Sequence, residues 1–122
     1  MTPPAELPGA AAEALTTAFL RALARGAWDD AAALTALASP PDTTVPDFLR
    51  DLWTRLVADF GELQAGRVAA SAPQGAGRTV DVAVRLATAD VVLRVVVSAE
   101  ARVSGFWISP PRRAGRAAAD AS

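Results

Sequence analysis

Residues 79–97 read TVDVAVRLATADVVLRVVV, and this stretch decides the fold. Val80, Val82, Val84 and Leu86 alternate with Thr79, Asp81, Ala83 and Arg85, which is the pattern of a strand with one dry and one wetter face. Val91–Val97 is apolar at every position except Arg94, as expected of a central strand. With Ala89-Asp90 read as a tight turn, the two runs form a hairpin. Leu86 then faces Leu93, Val84 faces Val95 and Val82 faces Val97.

Upstream of this hairpin the period changes from 2 to 3.6. Leu49, Leu52, Trp53, Leu56, Val57 and Phe60 fall on one helical stripe, with Pro46 at the helix start and Gly61 as its stop. Two shorter helices precede it. Ala11, Leu15, Ala18, Phe19, Ala22 and Leu23 recur at three- and four-residue spacing between Gly9 and Arg25, and Gly26 suits the end of that helix. Trp28-Asp29-Asp30 opens the second, with both carboxylates in the first turn, and it runs to about Leu37 before Ser39-Pro40-Pro41-Asp42 breaks it. A weaker strand over Leu63–Ala72, with Gly66 as its bend, and a last strand over Val103–Ser109 complete the set. Helices followed by an antiparallel meander make an α+β domain, with three N-terminal helices packed on one face of a four-stranded sheet. The domain is expected over residues 9–111, between a flexible N-terminus at 1–8 and a disordered Arg/Ala tail at 112–122.

A loop at Ser98–Arg102 sets Val97 opposite Val103, Val95 opposite Gly105 and Leu93 opposite Trp107, all on the helix-covered face. The uncovered face then carries Arg85, Val92, Arg94, Val96, Phe106 and Ile108, besides Thr79, Asp81, Ala83 and Ser104. On this register Arg94 lies opposite Phe106, within reach of a cation–π contact, and also opposite Arg85, a like-charge pair. The apolar members of that face make it a surface for self-association or for docking to another protein domain, with a homodimer as the expected form.

Composition removes several classes of function. The chain has 122 residues, 52% of them hydrophobic, so a single cored domain is within reach. There is no His, Cys or Tyr, and all twelve basic residues are Arg. A serine triad, a thiolate nucleophile and His- or Cys-based metal sites are therefore excluded, and the acidic residues show no calcium-loop spacing. No cofactor motif is present: Gly75-Ala76-Gly77 joins two strands and no Lys follows it. A net charge of −1 directs the chain toward neither nucleic acid nor an anionic membrane. Arginine without lysine in an Ala-rich chain reads as the codon usage of a GC-rich, bacterial genome. The first residues lack a basic segment followed by an apolar run, so the chain is expected in the cytoplasm.

The order of four short motifs resembles a known family. Arg25-Gly26-Ala27-Trp28-Asp29-Asp30-Ala31-Ala32, then Leu52-Trp53, Phe60-Gly61 and the closing Val103-Ser104-Gly105-Phe106-Trp107-Ile108-Ser109-Pro110 are similar to the domain of unknown function 3887. The likeness extends from about Leu15 to Pro110. It implies a cone-shaped nuclear transport factor 2-like or cystatin-like fold, occurring alone or joined to hydrolase domains. It brings no established activity and no catalytic residue. Members of that family often have a Gly-containing polar turn before the last strand, whereas Ser98-Ala99-Glu100-Ala101-Arg102 has none.

Two functional expectations follow. The first is a non-enzymatic accessory domain that pairs through the uncovered sheet face. A small apolar ligand would sit in a pocket lined by Phe19, Trp28, Trp53, Leu56 and Trp107. The second is a small cyclase- or isomerase-type enzyme. With no Tyr or His, it would depend on a carboxylate whose pKa is raised inside the cone, and Asp59 and Glu62 are the nearest candidates.

Overall fold

The structure, a computed structural model, describes residues 7–38 and 42–109 and the backbone of 112–113. Residues 1–6 of the expected flexible N-terminus, residues 39–41 of the expected helix break and residues 114–122 of the expected tail lie outside the described residues. Three helices, α1 (Gly9–Ala24), α2 (Trp28–Ala33) and α3 (Val45–Phe60), precede four strands, β1 (Leu63–Gln74), β2 (Gly77–Leu86), β3 (Ala89–Val97) and β4 (Val103–Ile108). The strands form an antiparallel meander in chain order. A two-residue β5 (Arg112–Arg113) pairs with Ala89 and Asp90 of β3, in a segment expected to be disordered. The expected class, α+β with three helices and a four-stranded antiparallel sheet, is what the chain forms.

The core lies between the helices and one face of the sheet. Val80, Val82, Val84 and Leu86 of β2 and Val91, Leu93, Val95 and Val97 of β3 are all buried. They meet Phe19, Leu20 and Leu23 of α1 and Leu49 and Trp53 of α3. Burying one such side chain is worth about 1.5–3 kcal/mol, so this layer carries most of the stability. The chain enters the domain already packed, for Leu7 is buried and its N–H donates to Ala76 O at 3.1 Å.

The α1 stripe is rotated by one residue from the expected one. Ala12, Thr16, Phe19, Leu20, Ala22 and Leu23 are buried, while Ala11 and Ala18 are exposed. In an Ala-rich helix the large side chains set the rotation. Thr16 tolerates full burial because its hydroxyl donates to Ala12 O at 2.8 Å. Helix α2 ends four residues early, since Thr35 leaves it to bridge Val103 of β4.

Two register corrections matter most. Val84 pairs with Val91 and Val82 with Leu93, so the β2–β3 turn is Ala87-Thr88 and not Ala89-Asp90. The cause is tertiary: the Thr88 N–H and hydroxyl both donate to Phe60 O, at 2.8 and 3.0 Å, which pins the turn to the end of α3. The slip is even, so every β2 and β3 side chain keeps its expected face. In β4 the slip is odd. Val97 pairs with Val103 but Val96 pairs with Gly105, which leaves Ser104 as a bulge. The Ser104 hydroxyl donates to Val96 O at 3.2 Å, tying the bulge residue back to β3. Beyond it the faces exchange. Phe106 and Ile108 turn toward the helices, and Trp107 turns outward.

Candidate functional site

The uncovered side of the sheet is built from rows of side chains that cross the strands. One row runs Ala70, Asp81, Arg94, Trp107 from β1 to β4. Arg94 binds the Asp81 carboxylate in a bidentate pair, Nε to Oδ1 at 2.7 Å and Nη2 to Oδ2 at 3.0 Å. The same guanidinium lies 5.5 Å from the centre of the Trp107 ring. A second row sets Arg85 against Asp90, with Nε to Oδ1 at 3.2 Å. The like-charge pair of Arg85 and Arg94 expected from sequence therefore does not form. Moving the turn gives each arginine an aspartate instead.

The apolar part of this side is Val92, 39% exposed, half-buried Val96, and Trp107, 51% exposed. Of the residues proposed for an interface, Arg85, Val92, Arg94 and Val96 are where the alternation put them. Phe106 and Ile108 are not: both pack, half-buried, against the core, and Phe106 meets Phe19 edge-on at 5.6 Å between ring centres. Trp107 takes their place. No sequence signal marked the bulge except Ser104-Gly105 itself, a small pair suited to an irregular strand.

The proposed pocket residues do not converge. Phe19 is fully buried in the core. Trp53 and Leu56 line a small apolar void between α1, α3 and the sheet, together with Leu23, Leu49 and Phe106. The void measures about 10 Å³, close to the space for a single water and far below that for an organic ligand. Trp28 lies elsewhere, half-buried beside Asp29, Asp30, Asp47 and Arg50 at the starts of α2 and α3. Trp107 lies outside altogether, where it borders an open groove of about 490 Å³ with Leu37, Phe48, Leu52 and the rest of β4. Asp59 and Glu62 are exposed, and neither lines the void. Among the described residues no group of three acidic side chains could hold a metal ion, and no helix is long and apolar enough to cross a membrane.

The hydrogen bonds from Arg94 hold the Asp81 carboxyl below its ordinary value, against the opposing effect of partial burial. A carboxyl with a depressed folded pKa adds stability above the ordinary carboxylate pKa of about 3.9, and loses it as pH falls through the folded value. Stability is therefore expected to fall on acidification below about pH 4, and less steeply in Asp81→Asn than in the wild type. Urea midpoints at neutral and acid pH check this. The effect is small because Arg94 is largely solvated.

Comparison with family models finds none that matches this chain, and comparison with curated proteins finds no match either.

Proposed function

We propose that this chain is a non-enzymatic interaction domain that self-associates through the Trp107 side of its sheet. The fold it would share is the nuclear transport factor 2-like or cystatin-like cone, and the related family is the domain of unknown function 3887. The observation that carries the reading is Trp107, a large aromatic left half exposed on a strand end where Phe48 and Val92 are also exposed. Large apolar surface gathered in one place on a small domain is the usual mark of a protein contact. The same reading is supported by Asp59 and Glu62, which are exposed and do not line the apolar void under α3.

Sedimentation equilibrium of the full chain tests the proposal. A dimer is expected at high-micromolar concentration, and Trp107→Glu is expected to sediment as a folded monomer. A wild type that stays monomeric across that range would end the reading.

A further inference from the structure

We infer that a second copy of this chain adds at the free edge of β4, with Trp107 opposite the partner's Trp107 on the two-fold axis. The result is one continuous sheet in which the four-stranded meanders of the two copies join edge to edge. The inference rests on the proposal of self-association and specifies its geometry.

The backbone supplies the first observation. Ser109 N–H donates to Val92 O at 2.9 Å, which sets the phase of the β3–β4 ladder. Ser109, Trp107 and Gly105 therefore direct their main-chain groups toward β3, whereas those of Phe106 and Ile108 point to the outer edge. At Val103 that edge is closed by this chain itself: Val103 N–H donates to Leu34 O, and Ala36 N–H to Val103 O, each at 2.9 Å. Beyond Val103 no strand covers it among the described residues. An open edge next to a region already closed limits a partner strand to residues 104–109.

The two edges of the sheet differ in chemistry. β1 is interrupted by bulges at Gln64 and Ala69 and carries Arg67 and Pro73, features that discourage pairing with another chain. The open part of β4 is Gly105-Phe106-Trp107-Ile108, without a charge or a proline. The groove of about 490 Å³ runs along this same stretch and leaves room beside it.

Symmetry then selects a register. In an antiparallel pair the residues whose main-chain groups face the partner bond to each other. A dyad at Phe106 would set Ile108 against the partner's Ser104, the bulge residue, and a dyad at Ile108 would set Phe106 against the partner's Pro110, which has no N–H. The favoured register therefore pairs Phe106 with the partner's Ile108 and Ile108 with the partner's Phe106. This places Trp107 opposite the partner's Trp107 as a non-hydrogen-bonded pair, with Cα atoms about 4.5 Å apart and both rings on the uncovered side. Aromatic pairs at such positions are favourable. Pairing spans Gly105 to Ser109 and stops short of the segment that covers Val103. Stacking two sheets face to face serves less well. An ordinary interface takes about 800 Å² from each partner, and here that would bury Arg67 and two ion pairs around a few apolar side chains.

The chain has no cysteine, so a single introduced one reports position. Under mild oxidation Trp107→Cys is expected to give a disulfide-linked dimer, since a Cα separation of about 4.5 Å lies within disulfide range. Val92→Cys should not link, because β3 and the partner's β3 are about 14 Å apart across three strand spacings. Amide exchange read on the unmodified chain gives a second measurement. The Phe106 and Ile108 amides should slow as concentration rises, while those of Gly105 and Trp107, already bonded to β3, stay unchanged. Linking through Val92→Cys with unaltered Phe106 and Ile108 exchange would overturn the edge geometry and leave self-association standing. A chain monomeric at every concentration overturns both.

Discussion

Phe106→Glu is expected to destabilise the domain strongly, while Trp107→Glu one residue later leaves it close to wild-type stability. Phe106 packs edge-on against fully buried Phe19 and lines the apolar void under α3. Truncating a fully buried Phe costs about 3–5 kcal/mol; Phe106 is half-buried, so its loss together with a carboxylate set against the core should cost about 3 kcal/mol. That is a large share of the roughly 5–15 kcal/mol by which a domain is stable. Trp107 projects to the solvent side, where most substitutions cost within about 1 kcal/mol. A register without the bulge reverses the outcome, making Phe106→Glu the soluble folded monomer. Thermal melts followed by circular dichroism separate the two. A Phe106→Glu variant that melts like the wild type would mean that β4 is placed one residue out.

The second large effect is expected at Gly61, where α3 ends against the β2–β3 turn. Its φ of 89° and ψ of 177° fall in a region that only glycine occupies readily. A Cβ at this position would also collide with the Ala87 side chain. Gly61→Ala should therefore cost about 3 kcal/mol, combining backbone strain with a contact that must open. Gly26 is the control. It too has positive φ, at 75°, but the nearest atom to an added Cβ is 3.8 Å away, so Gly26→Ala should cost only about 1 kcal/mol. Urea denaturation of the two variants measures the difference. The site matters beyond stability, because Thr88 bonds to Phe60 O at the same junction and so fixes the β2–β3 register. Loosening it should also disturb the pairing of Asp81 with Arg94.

Periodicity alone made much of this molecule legible. The unbroken stripe from Leu49 to Phe60 required α3, and strict alternation required that Val80, Val82, Val84 and Leu86 share one face. Arg85, Val92, Arg94 and Val96 lie on the uncovered side, as the alternation requires, although the turn falls at Ala87-Thr88. An even slip changes partners but not faces. Partners were not legible, because Val opposite Val looks the same in either register. Only the docking of Thr88 onto Phe60 breaks that tie, and it joins residues 28 positions apart.

The residues that carry the proposed function depended on a single inserted position. Up to Val103 the alternation holds, and at Ser104 one extra residue reverses it. Phe106 and Ile108 then pack, half-buried, against the core, and Trp107 reaches the surface. Local sequence has no preference between a buried Trp with exposed Phe and Ile and the opposite arrangement, since all three favour strands. The choice is made by a hydroxyl that ties the bulge back to the Val96 carbonyl and by Phe19 waiting across the core. Composition and period thus determined the elements, their order and the two faces of the central hairpin. Which aromatic meets the solvent was decided only when helix and sheet packed together, because a bulge is stable only where side chains from elsewhere reward the reversal.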